Sequence, residues 1–153
     1  MATPLNQAHP LLVLPFNADT DFTTLAEHCE HFTDAMLESD DIALKLALSG
    51  RLAACLSLLK STLNEPIPPH LIESLTVDAL PATFPHFEPD AESLCEYCQM
   101  LVQLFTEQKL SSQTSPVLIG LLSELVWYFV AGLKASRWLK TENGINEIDE
   151  LMA

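Results

Sequence analysis

Two pairs of metal-ligating side chains stand at one-turn spacing in this chain, His28 with His31 and Cys95 with Cys98. Two imidazoles and two thiolates make a tetrahedral zinc set when both pairs project from facing helices toward one point. A helical wheel opposes that arrangement. Cys95 and Cys98 fall in the apolar stripe of their segment, whereas His28 and His31 lie about 100° and about 160° from Cys29, which is in the stripe of theirs. Gathering all four turns the apolar face of the first helix to water. The expectation is buried thiols and surface imidazoles, with no metal and no other cofactor; a His/Cys metal-binding helical protein is the rival reading. Cys95-Glu96-Tyr97-Cys98 also has the spacing of a redox dithiol. Redox pairs of that kind open a helix behind a strand, where the dipole lowers the thiol pKa, and this one lies inside a helical pattern.

Carboxylates form the next candidate set. Glu27, Glu30, Asp34 and Glu38 make an acidic ribbon, with His31, on the outer side of the first helical pattern. Di-iron sites need paired Glu-x-x-His motifs aimed inward, and there is none here. The ribbon reads as a solvated face, or more sharply as a docking face for lysine and arginine of a partner. Glu124 stands alone among apolar residues. A buried carboxylate needs compensation, so pairing with Lys45 or Arg51 is expected. The chain has no glycine-rich phosphate loop, nucleophile elbow or HExxH. No catalytic residue is assigned, and a non-enzymatic protein is expected.

The elements that carry these residues are helical. Asp21–Glu38 has Phe22, Leu25, Cys29, Phe32 and Met36 on one face. Ser39-Asp40-Asp41 starts a second helix, Ile42–Leu63, through a tight αα-hairpin. That second helix has two opposed ladders. Leu44, Leu48, Leu52, Cys55, Leu56, Leu59 and Leu63 form one; Ala43, Ala47, Gly50, Ala54, Ser57 and Ser61 form the other. Small side chains in register admit another backbone, so the helix is expected to be packed on both sides. Asn64–Pro89 holds six prolines yet many apolar residues, Phe84 among them, and is expected to wrap an end of the bundle with a short helix at Pro69–Thr76. A third helix follows at Asp90–Lys109, with Ala91, Leu94, Cys95, Cys98, Leu101, Val102 and Phe105 inward. Ser115-Pro116 reads as cap and first position of a fourth helix running to Lys140, stopped by Gly144.

The expected fold is all-α and four-helix-bundle-like, two αα-hairpins joined by the proline-rich connector. The expected division is an extended arm at 1–18, one helical domain at 19–141, and a short acidic C-terminal helix or tail at 142–153. With 153 residues and 48% of them apolar, the chain is long enough for a sizeable core. Its formal net charge is −14, from only seven lysines and arginines. No basic cluster tracks a phosphate backbone, which argues against direct nucleic-acid binding and against an anionic membrane surface. Val117–Leu133 is nearly uniformly apolar, but slightly short for a membrane span and interrupted by Glu124, so a buried central helix is preferred. The N-terminus lacks a basic n-region and a long apolar core, which points to a cytoplasmic protein.

Together these readings describe a small acidic protein-binding module, of the inhibitor or immunity type or a chaperone or adaptor. Its expected partner is a protein, a basic one being favoured by the net charge of −14, and homodimerisation is expected. The alternative is a helical subunit of a larger complex. Ala47, Gly50, Ala54, Trp127 and Trp138 are assigned to association, and Glu27, Glu30, Asp34 and Glu38 to the acidic partner face.

Overall fold

A computed structural model describes residues 9–83, 85–107 and 111–149. The protein is mostly helical (61%), an all-α fold, with four α-helices and one small two-stranded sheet among the described residues. The chain divides into two compact units, Met1–Pro81 and Ala82–Ala153, so it parts inside the proline-rich connector, within the span read from sequence as one domain.

The first unit is an αα-hairpin of α1 (Phe22–Glu38) and α2 (Ile42–Thr62). Both helices begin on an aspartate whose carboxylate occupies donors that the first turn leaves free. Asp21 accepts from the Thr24 N–H at 2.9 Å and the Thr23 hydroxyl at 2.7 Å. Asp41 accepts from the Ala43 N–H at 2.9 Å. Ser39 is extended and ends α1, and the short link forces an antiparallel return. Leu25 and Phe32, two turns apart on α1, meet Leu48 and Cys55, two turns apart on α2; all four are at most 1% exposed. Burying side chains of this size stabilises by about 1.5–3 kcal/mol each before entropy is counted. Leu44, Leu52 and Leu59 line the margin of this core, as their ladder requires. Leu56 and Leu63 do not join it and stay exposed.

The N-terminal arm docks on this hairpin. Pro10–Val13 forms a short 3₁₀ helix, and Leu11, Leu12, Leu14 and Phe16 pack against the core. Residues 1–8 of the arm lie outside the described residues. The connector matches its sequence reading only in its first part. Pro69–Leu71 is a 3₁₀ turn continued by hydrogen-bonded turns, the Leu75 N–H donating to the Leu71 carbonyl at 3.1 Å, rather than a regular helix to Thr76. Leu71 is buried, but Ile67, Ile72, Leu75, Val77 and Leu80 are exposed. The first part of the connector does reach the open end of the hairpin, where His70 lies 3.8 Å from the Asp21 carboxylate and Pro66 and Pro68 line a small hollow with Phe22 and Thr62. The exposed stretch beyond Leu71, where prolines remove backbone donors, adds no ordered layer. Phe84 lies outside the described residues.

The second unit contains α3 (Ala91–Thr106), α4 (Thr114–Lys134) and a hairpin of β1 (Trp138–Thr141) and β2 (Gly144–Glu147). Asp90 caps α3 through the Ser93 N–H at 2.7 Å. The expected inward face is only partly inward: Leu94 is buried, Cys95, Cys98 and Leu101 are half-buried, and Ala91, Val102 and Phe105 are exposed. The α3 C-terminus ends at Thr106, and Lys109 lies outside the described residues.

Helix α4 starts two residues earlier than Ser115-Pro116 suggests. The Ser111 hydroxyl accepts from the Thr114 N–H at 3.2 Å, which places Pro116 third in the helix, still within the turn where its missing N–H costs no bond. The helix ends at Lys134, not Lys140. Trp138 to Glu147 instead form an antiparallel ribbon, with Thr141 opposite Gly144. Gly144 has φ +117°, a conformation that only glycine adopts cheaply, and it closes a two-residue turn rather than ending a helix. The Ile148 N–H donates to the Arg137 carbonyl at 2.9 Å and extends the pairing. Of the span 142–153, expected as a short acidic helix or tail, the turn and strand occupy the part up to Glu147, Ile148 and Asp149 are helical, and residues 150–153 lie outside the described residues.

Candidate interaction surface

Helix α4 buries none of its 21 residues. Leu118, Leu122, Leu125 and Phe129 are half-buried on the side toward α3. Val117 and Trp127 are 74% and 70% exposed, and Leu121, Tyr128 and Leu133 are exposed as well. Leu94 is the one fully buried residue of this unit among those described. These side chains leave much of the α4 surface apolar and open to solvent. Tyr128 is tied down at one edge: its hydroxyl donates to the Phe87 carbonyl at 2.8 Å, and the two rings meet edge to face at 5.2 Å.

Two hollows interrupt this surface. One, of about 470 Å³, runs between the helices and is lined by Cys95, Cys98, Gln99 and Val102 of α3 and Leu122, Val126, Phe129 and Val130 of α4. Apart from the two thiols, its lining has no ionisable group, so it offers no acid–base pair and no nucleophile with an adjacent base. The other, of about 410 Å³, lies toward the start of α3, among Pro89, Leu94, Tyr128, Gly132 and Arg137. What both can do chemically is remove apolar side chains from water.

The remaining sequence candidates fall as follows. Glu27, Glu30, Asp34 and Glu38 are all exposed on α1, an outward ribbon as expected. Ala47, Gly50 and Ala54 are exposed on α2, and a methyl added at Gly50 meets nothing within 4 Å. The small-residue edge is thus open in this chain, and the connector does not cover it. Trp127 and Trp138 are exposed on α4 and β1. His31 is exposed, but His28 is half-buried, its ring 6.1 Å from that of Phe16 because the arm folds over it. The two histidines lie in the first unit and Cys95 and Cys98 in the second. Among the described residues no three His, Cys, Asp or Glu side chains converge as metal ligands would.

Glu124 is exposed rather than buried and needs no partner. Arg51, one of its expected partners, is engaged inside the first unit. Its guanidinium donates to the Leu14 carbonyl and lies 4.4 Å over the Phe16 ring, a cation–π contact. The partners of this latch are 37 residues apart in the chain, so no local pattern specifies it; the isolated arginine amid α2 leucines is its one sequence signal.

Electrostatics separate structural from reactive groups. Burial, and then the neighbouring Cys29 thiol, push the Cys55 thiol up to about 11. The Thr23 hydroxyl and the Thr24 N–H hold Asp21 down at about 2. The Ser93 N–H and hydroxyl lower Asp90 in the same way. All three belong to cap and core, not to a reaction centre. The chain matches no family model, no curated protein and no solved structure. Its surface chemistry alone carries the functional reading.

Proposed function

We propose that this protein is a non-enzymatic, cytoplasmic protein-binding module whose second unit is completed by another chain. The carrying observation is α4, a 21-residue apolar helix with no buried residue. The acidic ribbon on α1 supports a basic partner, which it would steer through long-range attraction. An inhibitor or immunity-type protein masking a basic surface fits this surface, as does a chaperone or adaptor holding an apolar client. Homodimerisation through the open Ala47, Gly50 and Ala54 edge, with Trp127 and Trp138, belongs to the same proposal.

A membrane is the second reading, because α2 and α4 are each long and apolar enough to cross one. Glu124, at the centre of α4, disfavours it, since a carboxylate at mid-bilayer costs about 2.5–3.5 kcal/mol on insertion scales. Purification without detergent followed by light scattering at several concentrations tests both readings. A soluble protein that dimerises, and is made monomeric by Gly50→Leu, supports the proposal. A strict monomer unchanged by Gly50→Leu defeats the dimer, and a protein extracted only by detergent defeats the cytoplasmic module.

A further inference from the structure

We propose that the α3–α4 groove receives the apolar face of a basic amphipathic helix from another protein, an inference that rests on the protein-binding reading above. The α3 side of the groove extends from Cys95 to Val102, two helical turns, or about 10 Å at 1.5 Å per residue. That length accommodates three anchors spaced i, i+3 or i+4, and i+7, the pattern by which an amphipathic helix seats in a groove. The floor is aliphatic and aromatic, with Gln99 as its one amide. Such a lining favours leucine-like side chains and penalises any buried charge.

Charge decides between occupants. In sequence, Glu96 adjoins the lining residue Cys95 and Glu92 lies one turn before it on α3, while Lys134 is one turn beyond Val130 and Arg137 lines the adjoining hollow. Residues 82–153 carry ten acidic and four basic side chains, and the whole chain has a net charge of −14. A second copy brings the same negative field to the groove and is repelled; a helix with lysine or arginine on its polar face is attracted. Cys95 and Cys98 give the site its own reporters. Both are free and half-buried in the lining, so an occupant shields them, while Cys55 in the first unit serves as an internal reference.

The test uses the full chain and two labelled helical peptides of about 18 residues, with leucines at the anchor spacing and either lysine or glutamate elsewhere. Anisotropy reads affinity, and mass spectrometry reads alkylation of Cys95 and Cys98. The lysine peptide is expected to bind at least about tenfold tighter than the glutamate peptide and to slow alkylation of both thiols. Val126→Arg, at an exposed position that leaves the fold intact by circular dichroism, is expected to weaken binding about tenfold, and Leu46→Arg on α2 to leave it unchanged. Equal affinity for both peptides overturns the inference. So does lysine-peptide binding with unshielded thiols, which reports charge attraction alone. If the thiols are shielded by raising protein concentration without peptide, a second copy is the occupant: the inference fails and the protein-binding reading stands. Shielding only by neutral phosphatidylcholine vesicles overturns both.

Discussion

Both units of this protein are built on paired helices of comparable length, yet they bury very different amounts. In the first, Leu25, Phe32, Leu48 and Cys55 are shielded from solvent completely or nearly so, and an N-terminal arm latched by Arg51 closes one side. In the second, Leu94 alone is buried among the described residues, although α4 is the most apolar helix of the chain. Hydrophobic composition is therefore not what makes a core. The α1 stripe is flanked by carboxylates that leave it one face to hide, and α2 meets it. Helix α4 is apolar around most of its circumference, and a single neighbour covers only one side of it. The difference gives the first unit the larger share of internal packing and leaves the second with the more open apolar surface.

Core truncations break or confirm this contrast most strongly. Phe32→Ala is expected to cost about 3–5 kcal/mol in urea denaturation, and Phe129→Ala, half-buried on α4, less than half as much. Equal losses would mean that the second unit has a core of its own. Thiol chemistry sharpens the same contrast. With its pKa near 11, Cys55 is about one-thousandth thiolate at pH 8, so its alkylation in the folded protein is expected to lag far behind that of Cys95 and Cys98. Comparable rates would remove the first unit's claim to a closed core.

Smaller effects probe how the first unit is closed. Arg51→Met removes the charged donor to the Leu14 carbonyl and is expected to cost about 1.5–3 kcal/mol, with faster hydrogen exchange confined to the arm. Asp21→Ala removes the α1 cap at a cost of about 1 kcal/mol. Because folding lowers the Asp21 pKa from 3.8 to about 2, its contribution is complete above pH 5 and is lost as pH falls through 4 toward 2. Acid titration of wild type against Asp21→Ala should show the difference in stability shrinking over that window. Glu124→Leu is expected to change stability by less than about 0.5 kcal/mol, since the carboxylate is exposed; a large loss would reveal a hidden partner.

The sequence held most of the local architecture. Asp21, Asp41 and Asp90 mark helix starts through chemistry confined to one turn, and the leucine periodicity of α2 identifies its core face. It held less of what depends on competition between elements. The apolar run of α4 extends visually into Trp138 and Leu139 and hides the Asn143-Gly144 turn signal, which sits between two four-residue strands too short for clear alternation. The Arg51 latch depends on an arm 37 residues away. The residues proposed for association, Ala47, Gly50, Ala54, Trp127 and Trp138, are readable as types and spacings. The groove was not, because its lining comes from two helices whose rotation about their axes no single-helix pattern specifies.

The central claim is that the first unit is complete and the second awaits a covering chain. Hydrogen exchange by mass spectrometry, at a concentration where light scattering shows a monomer, tests it most directly. Amides around Leu25–Phe32 and Leu48–Cys55 are expected to exchange orders of magnitude more slowly than those of α4. Protection of α4 equal to that of α1 and α2 in the monomer would contradict the account.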